Sequence, residues 1–143
     1  MEGLTSLCID TDILIDYLRG PSETTRQLMK KIHEKDIQAY TTTINSFEIW
    51  LGVYLAPKPE VLIKKTEEFM DQLEIIDFNY ETSVEAGRIQ ATLRKEGQVV
   101  EIRDVLVASI AKVSEIPLVT RNLKHYQRIQ GLAIATPEQV TLN

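Results

Sequence analysis

Cysteine and histidine are scarce in this sequence. Cys8 is the only cysteine among the 143 residues, and His33 and His125 are the only 2 histidines. A single cysteine excludes an internal disulfide and any metal cluster held by several cysteines. We predict that Cys8 is a small buried residue of the first strand, and that His33, on the polar side of a lysine-rich helix, lies at the surface.

Long apolar runs are also absent. Apolar runs such as residues 105–108 and 13–15 are far shorter than the roughly 20 residues that a membrane-spanning helix needs. The segment before Cys8 has an acidic side chain and no basic one, so it lacks the charged start of a secretory signal. We therefore expect a cytoplasmic protein with no segment in the membrane.

The composition is that of an ordinary globular protein, with 43% hydrophobic and 26% charged residues. A chain of this length is the size of one domain, so residues 1–143 are predicted to form a single domain. The net charge of -5 argues against a protein that binds nucleic acid through a generally basic surface. It is compatible with a site that gathers carboxylates around divalent cations, because those cations attract phosphates.

Short β-rich segments alternate with segments of helical periodicity. Strands are predicted at residues 4–9, 37–42, 74–78, 117–120 and 132–135. Helices are predicted at residues 12–19, 22–35, 44–55, 61–73, 80–96 and 102–114, with a helical turn at 122–126. This alternation predicts an α/β fold with a central, mostly parallel β-sheet flanked by α-helices on both sides. Ligands of such folds gather at the carboxyl ends of the strands.

Acidic residues that lie at strand ends or on otherwise apolar helices are Asp10, Asp12, Glu48, Glu101 and Asp104. Glu48 has apolar neighbours in the sequence, and Asp104 lies near the start of the most apolar predicted helix. A charged carboxylate at either position is costly unless it finds a cation. Carboxylates that converge at one sheet edge repel one another until a divalent ion neutralises them. An all-oxygen donor set favours Mg²⁺ or Mn²⁺ over zinc.

The same acids could instead have structural roles. Asp10 could cap the following helix, Glu48 could pair with a lysine, and Asp104 could be a first-turn residue favoured by the helix dipole. We interpret Asp12 as a helix cap rather than a metal ligand. Glu101 is interpreted as a solvated neighbour of the site rather than a member of it.

Four segments together resemble the PIN-domain family, and within it the VapC-type toxins. They are CIDTDILIDYL, NSFEIWLGV, EIRDVLVASIAKV and PLVTRNLKHYQRI, and they follow the order and separations of the family over nearly the whole chain. The resemblance implies a PIN-like fold and a metal-dependent endoribonuclease that hydrolyses RNA phosphodiester bonds. It also implies that this enzyme is the toxin of a toxin-antitoxin pair.

The resemblance places the family's functional residues on particular positions. Asp10, Glu48 and Asp104 match the catalytic acids that hold Mg²⁺ or Mn²⁺. Asn122 matches a fourth catalytic position that is often acidic, and an amide there brings no charge to hold a second metal. Thr11 and Thr120 are expected to orient the site through their hydroxyl groups. Further residues, which we do not assign individually, could contact the phosphate backbone: Arg19, Arg103, Arg121 and Lys124.

By the same resemblance we expect a VapB-like antitoxin partner and a homodimer. Trp50, Tyr54 and Leu55 extend past what one buried helix face needs, and residues 62–69 form an amphipathic helix, so either could supply an interface. The alternative is that these aromatic residues fill the core.

Other functions compete with the toxin hypothesis. One is a PIN nuclease of RNA processing, or a DNA-directed relative, that has no antitoxin. Another is a catalytically silent α/β module that binds RNA or protein, in which Asn122 marks decay of the site. A third is a phosphatase or receiver-like protein with Asp10 as the nucleophile, but it would need a lysine at a later strand end, and none is obviously placed.

Overall fold

The computed structural model of the chain describes residues 4–142. Met1, Glu2, Gly3 and Asn143 lie outside the described residues, and so does the first part of the N-terminal segment that we predicted to lack a secretory signal. The described chain contains the strands β1 (Ser6–Ile9), β2 (Gln38–Thr42), β3 (Glu74–Ile76), β4 (Leu118–Val119) and β5 (Ile134–Ala135). They form one sheet in the order β3-β2-β1-β4-β5, and every neighbouring pair is parallel.

Helices connect the strands and cover the sheet. They are α1 (Thr11–Arg19), α2 (Glu23–Glu34), α3 (Thr43–Leu55), α4 (Pro59–Met70), α5 (Tyr80–Lys95), α6 (Ile102–Val113), α7 (Leu123–Tyr126) and α8 (Pro137–Thr141). Most begin at a side chain that accepts a hydrogen bond from the first turn, as the side chain of Thr42 does from the backbone N–H of Asn45. Gly20 and Gly97 follow α1 and α5 with φ angles of 115° and 71°, where a side chain would be strained.

The alternation of side chains along β1 creates a core on each face of the sheet. Leu7 and Ile9 point into one apolar cluster, which includes residues of α1, α2 and α8. Cys8 points into the other, which includes residues of α5 and α6. The prediction of a parallel sheet with helices on both faces is therefore confirmed.

Helix α6 is the most buried of the described helices. Seven of its residues are buried: Asp104, Val105, Val107, Ala108, Ser109, Ile110 and Ala111. It packs along α5, and small residues such as Ala108 and Ala111 allow close contact between the two helices. A helix buried on most sides holds the residues of its first turn in fixed positions, which matters for Asp104.

The structure corrects several local predictions. Helix α8 was not predicted, and β3 ends at Ile76 instead of residue 78. Helix α4 runs from Pro59 to Met70 instead of over residues 61–73. It can begin at Pro59 because a proline, which has no backbone N–H, fits the first turn of a helix. Leu62, the first residue of the amphipathic segment predicted at residues 62–69, is exposed. No helix within residues 4–142 is long and apolar enough to cross a membrane.

Candidate active site

The predicted site residues lie beside β1, at the point where the chain changes from adding strands on one side of β1 to adding them on the other. The chain runs outward from β1 to β2 and β3, and then returns to place β4 on the other side of β1. The carboxyl ends of β1 and β4 thus open a crevice between two chain segments that leave in different directions. Asp10 follows β1 directly and Thr120 follows β4, so both side chains meet in this crevice.

Asp10 is buried, and each of its carboxylate oxygens accepts hydrogen bonds from several parts of the chain. Its Oδ1 accepts from the backbone N–H of Thr11 at 2.9 Å and from Nδ2 of Asn45 at 2.9 Å. Its Oδ2 accepts from the hydroxyls of Thr120 at 2.9 Å and Tyr126 at 3.0 Å. These groups come from the start of α1, from α3, from the residue after β4 and from α7, so four parts of the chain fix one carboxylate.

Glu48 and Asp104 converge with Asp10 on the guanidinium of Arg103. The Nη2 atom lies 3.0 Å from Asp10 Oδ1 and 2.6 Å from Glu48 Oε1, while Nε donates to Glu48 Oε2 at 3.0 Å. The Nη1 atom donates to Asp104 Oδ1 at 2.7 Å and to the hydroxyl of Tyr126 at 2.6 Å. Three carboxylates around one guanidinium leave two negative charges in excess.

The local electrostatics follow from burial and from these carboxylates. Burial, with the charge of Asp10 as the second cause, raises the pKa of the Tyr126 hydroxyl, so Tyr126 stays a neutral donor. Burial opposes the charge on Arg103, yet its hydrogen bond to Glu48 and the charge of Asp10 raise its pKa above the ordinary range. Burial and Asp10 also raise the pKa of Asp12.

The carboxylate oxygens of the site suit a hard divalent cation, but the carboxylates are spaced around the guanidinium of Arg103. Within residues 4–142, no three acidic, histidine or cysteine side chains are grouped tightly enough to hold a metal ion as they stand. Arg103 contacts all three of the carboxylates. The chemistry nevertheless fits, because three carboxylates from separate elements already converge on one cationic group.

The remaining predicted site residues lie around this centre. Thr11 donates its hydroxyl to Glu48 Oε1 at 2.6 Å. Asn122 donates its backbone N–H to Thr120 Oγ1 at 3.0 Å, and its side-chain Nδ2 lies 3.4 Å from Asp12 Oδ2. Asn122 is therefore linked to Asp10 through the Thr120 hydroxyl.

The structure corrects the interpretation of Asp12. The N-cap of α1 is Asp10, whose side chain accepts from the N–H of Thr11, and Asp12 lies in the first turn. Asp12 instead accepts from the backbone N–H of Arg121 at 3.0 Å and so ties α1 to the loop after β4. Glu101 is exposed, as we predicted.

Two residues predicted to lie outside the site take the expected positions. His33 is exposed. Cys8 is completely buried, and burial, followed by the charge of Asp10, raises the pKa of its thiol to about 12. The thiol is therefore neutral and inert at physiological pH.

Sequence reasoning missed Asn45, Tyr126 and His125. Asn45 is fully buried and bridges Asp10 and the hydroxyl of Thr11, at 2.9 and 2.8 Å. His125 Nδ1 lies 3.3 Å from Asp104 Oδ2. The spacing of Thr42 and Asn45 is that of a capping box, a signal that marks the start of α3 but not the contact with Asp10.

An apolar groove begins at Glu48 and runs between α1, α3 and α4. It has a volume of about 330 Å³, and its lining includes Ile15, Leu18, Leu55 and Leu62. Along α3 the exposed fractions are 65% for Phe47, 63% for Tyr54 and 75% for Leu55. The alternative that Tyr54 and Leu55 fill the core is therefore wrong, and they remain available for an interface.

These features define a class of protein: a parallel α/β fold with a carboxylate site at its topological switch point. The sequence model of the PIN domain matches residues 7–131, and the chain belongs to this family. PIN-domain ribonucleases depend in general on a divalent metal.

Particular relatives agree with this assignment. The chain is 26% identical to Ribonuclease VapC2 of Haemophilus influenzae over 125 residues, which are 87% of this chain and 92% of the relative. It is 25% identical to the tRNA(fMet)-specific endonuclease VapC of Salmonella typhimurium, over 88% of this chain and 93% of the relative. The crystal structure of VapBC2 from Rickettsia felis, bound to a DNA fragment from its promoter, superposes with a TM-score of 0.84 at 25% identity, covering 92% of this chain and 98% of that one.

Proposed function

We propose that this protein is a metal-dependent endoribonuclease of the VapC type and the toxin of a toxin-antitoxin pair. One observation carries the catalytic part of the proposal: three carboxylates from β1, α3 and α6 converge on a single cationic group at the carboxyl edge of the sheet. The names of the similar ribonucleases support RNA as the substrate.

Asp10, Glu48 and Asp104 are the proposed ligands of Mg²⁺, with Mn²⁺ as a substitute. When bound, the cation polarises the phosphoryl oxygen and lowers the pKa of the attacking water. Asp10 keeps its orientation because Thr120, Tyr126 and the N–H of Thr11 hold it. We retain Asn122 as a proposed catalytic residue on the basis of its place in the family pattern.

The hydroxyl of Thr11 and the amide of Asn45 would keep the carboxylates of Glu48 and Asp10 at a fixed separation. Thr11 donates to Glu48, and Asn45 donates both to Thr11 and to Asp10. This chain of hydrogen bonds ties the end of β1 to the second turn of α3. A shift of α3 would therefore change the separation of two proposed ligands.

The proposed partner is a VapB-like antitoxin. The similar structures that are complexes of VapB and VapC proteins support this partner. The groove that begins at Glu48 lies beside the site, so a segment bound there could reach the carboxylates. We also propose that the toxin forms a homodimer in the cytoplasm, the compartment in which it would meet RNA.

The test is cleavage of a mixed RNA substrate by the purified, partner-free protein with Mg²⁺, with Mn²⁺ or with EDTA. Asp10→Asn and Asp104→Asn each remove one charge from the proposed ligand set while they preserve side-chain size. We expect cleavage to require the metal and to fall about 1,000-fold in either variant, because the loss of a ligand removes several kcal/mol of transition-state stabilisation.

Asp71→Asn is the matched control, since Asp71 is an exposed residue at the end of α4. It should cleave RNA as the unmodified protein does. If the folded protein cleaves nothing with either metal, the nuclease proposal is wrong, and the silent binding module becomes the better hypothesis. If EDTA leaves cleavage intact, the proposed metal dependence is wrong.

A further inference from the structure

The guanidinium of Arg103 occupies the space between the three carboxylates of the site. Each of Asp10, Glu48 and Asp104 has at least one oxygen within 3.0 Å of a guanidinium nitrogen. The contact with Glu48 is bidentate, through Nε and Nη2, a geometry that adds strength and direction to an ion pair. Arg103 is thus the cation around which these carboxylates are arranged.

A divalent metal bound between these carboxylates would compete with the guanidinium for their oxygens. Mg²⁺ draws its oxygen ligands to about 2.0–2.1 Å, whereas the nitrogens of Arg103 keep them at 2.6 to 3.0 Å. The Nη2 atom lies between Asp10 Oδ1 and Glu48 Oε1 and contacts both. An ion shared by those two carboxylates would require Nη2 to move.

We propose that Arg103 is an internal counter-cation, which holds Asp10, Glu48 and Asp104 together in the metal-free protein and leaves them when the divalent cation binds. This inference rests on the proposed metal site. Its consequence is a lower apparent metal affinity, because the metal binds only the fraction of molecules from which Arg103 has moved.

The surroundings of Arg103 permit this movement. Its side chain is 26% exposed, whereas those of Asp10 and Asp104 are 2% and 3% exposed. Asp10 would keep its orientation without Arg103, since Thr11, Asn45, Thr120 and Tyr126 still donate to it. Asp10 and Asp104 are buried in the fold, whereas the side chains of Arg103 and Glu48, at 26% and 29% exposure, have room to move.

The first test measures Mn²⁺ binding by calorimetry to the partner-free full chain and to Arg103→Gln. If Arg103 is displaced in about a tenth of the metal-free molecules, its removal tightens the Kd for Mn²⁺ about 10-fold. Arg26→Gln is the matched control, because it removes the same charge from an exposed pair with Glu23 that is remote in sequence from the site. It should leave the Kd unchanged.

Asp10→Asn separates failure of this inference from failure of the proposed function. If Asp10→Asn weakens Mn²⁺ binding but Arg103→Gln does not tighten it, the metal site stands and the counter-cation role is wrong. If Asp10→Asn leaves Mn²⁺ binding intact, the metal site is not where we propose it, and both proposals fall.

A second measurement follows the unmodified protein, and a variant serves only to assign the signal. The Arg103 Nε–H donates to Glu48 Oε2 at 3.0 Å, so its NMR signal should be protected from exchange with water in the metal-free state. The signal is assigned by its absence in Arg103→Lys. We expect Mg²⁺ to abolish this protection, and a signal that stays protected at saturating Mg²⁺ would overturn the proposal.

Discussion

The two ends of α6 carry ionic clusters of opposite composition. In the first turn, Arg103 is the one cation for three carboxylates. In the last turn, Lys112 contacts the carboxylate of Glu85 at 2.9 Å, and Arg88 contacts the same carboxylate. We call these the carboxylate end and the lysine end of α6. The first has negative charge in excess, and the second has positive charge in excess.

Burial makes this difference informative. At the lysine end, the side chain of Lys112 is 29% exposed and that of Arg88 is 65% exposed, so water screens the surplus positive charge. At the carboxylate end, Asp10 and Asp104 are almost completely buried, where a surplus charge is costly. A fold that retains such a charge needs a ligand to neutralise it, so only the carboxylate end has the character of a functional site.

The largest effect that we predict in this comparison comes from Tyr126→Phe at the carboxylate end. The substitution removes the hydroxyl that donates to Asp10 Oδ2 at 3.0 Å and leaves the buried ring in place. A hydrogen bond to a charged group contributes roughly 1.5–3 kcal/mol. We therefore expect RNA cleavage to fall about 10-fold or more, with a weaker Kd for Mn²⁺ by calorimetry.

Tyr80→Phe is the control, because it removes one hydroxyl from a side chain that is 85% exposed. It should change neither cleavage nor Mn²⁺ affinity. A Tyr126→Phe protein that loses stability but keeps both cleavage and Mn²⁺ affinity would show that the hydroxyl supports folding and does not position Asp10.

Much of this architecture is encoded in local patterns. The short apolar strands and the amphipathic helices predicted the parallel sheet, the helices on both faces and the position of the acids at strand ends. Asp10 and Asp104 could be singled out because an acid beside a buried strand or on an apolar helix is unusual. The single-domain organisation of residues 1–143 stays a prediction.

The interior of the site could not be predicted in the same way. Apart from the N–H of Thr11, the groups that donate to the carboxylate of Asp10 are 35 to 116 residues away in the chain, from Asn45 to Tyr126, and no periodicity encodes such distances. Arg103 was singled out only as one of several basic residues, because its neighbour Asp104 gave no sign of where the guanidinium points. Helix α8 was missed since a helix of 5 residues has too few turns to show a period.

An intermediate effect is expected from Gly131→Ala beside the lysine end. Gly131 has a φ of 80°, and an added Cβ would lie 2.9 Å from Cε of Lys112. The flexible lysine can move aside, so the backbone strain dominates, at about 1–2 kcal/mol of unfolding free energy. Chemical denaturation measures this loss, and RNA cleavage by the folded fraction should not change.

Gly52→Ala is the matched control for that experiment. Gly52 lies within α3, and an added Cβ there meets nothing within 4 Å. Because alanine favours a helix more than glycine does, this variant should gain up to about 1 kcal/mol. Equal losses from both substitutions would contradict the assignment of the Gly131 effect to its positive φ.

The smallest effect is expected from Lys112→Met, which keeps the apolar stem and removes the charge at the lysine end. The hydrogen bond from Lys112 is the main reason that the pKa of Glu85 lies below its ordinary value. A carboxyl whose folded pKa is depressed stabilises the fold above its unfolded pKa of about 4.3 and loses that stabilisation as the pH falls through the folded pKa. At pH 7 the free energy of unfolding of the variant should therefore be lower by less than about 1 kcal/mol, because the pair is partly solvated.

The pH profile distinguishes this ion pair from a loss of packing. The difference in unfolding free energy between Lys112→Met and the unmodified protein should shrink as the pH falls below about 4, since Glu85 is then protonated in both. Lys30→Met, which breaks a pair with Glu34 at 3.8 Å between exposed side chains, should show almost no difference at any pH. If the loss of unfolding free energy in Lys112→Met stays constant down to acid pH, then the lysine stem, and not its charge, stabilises this end of α6.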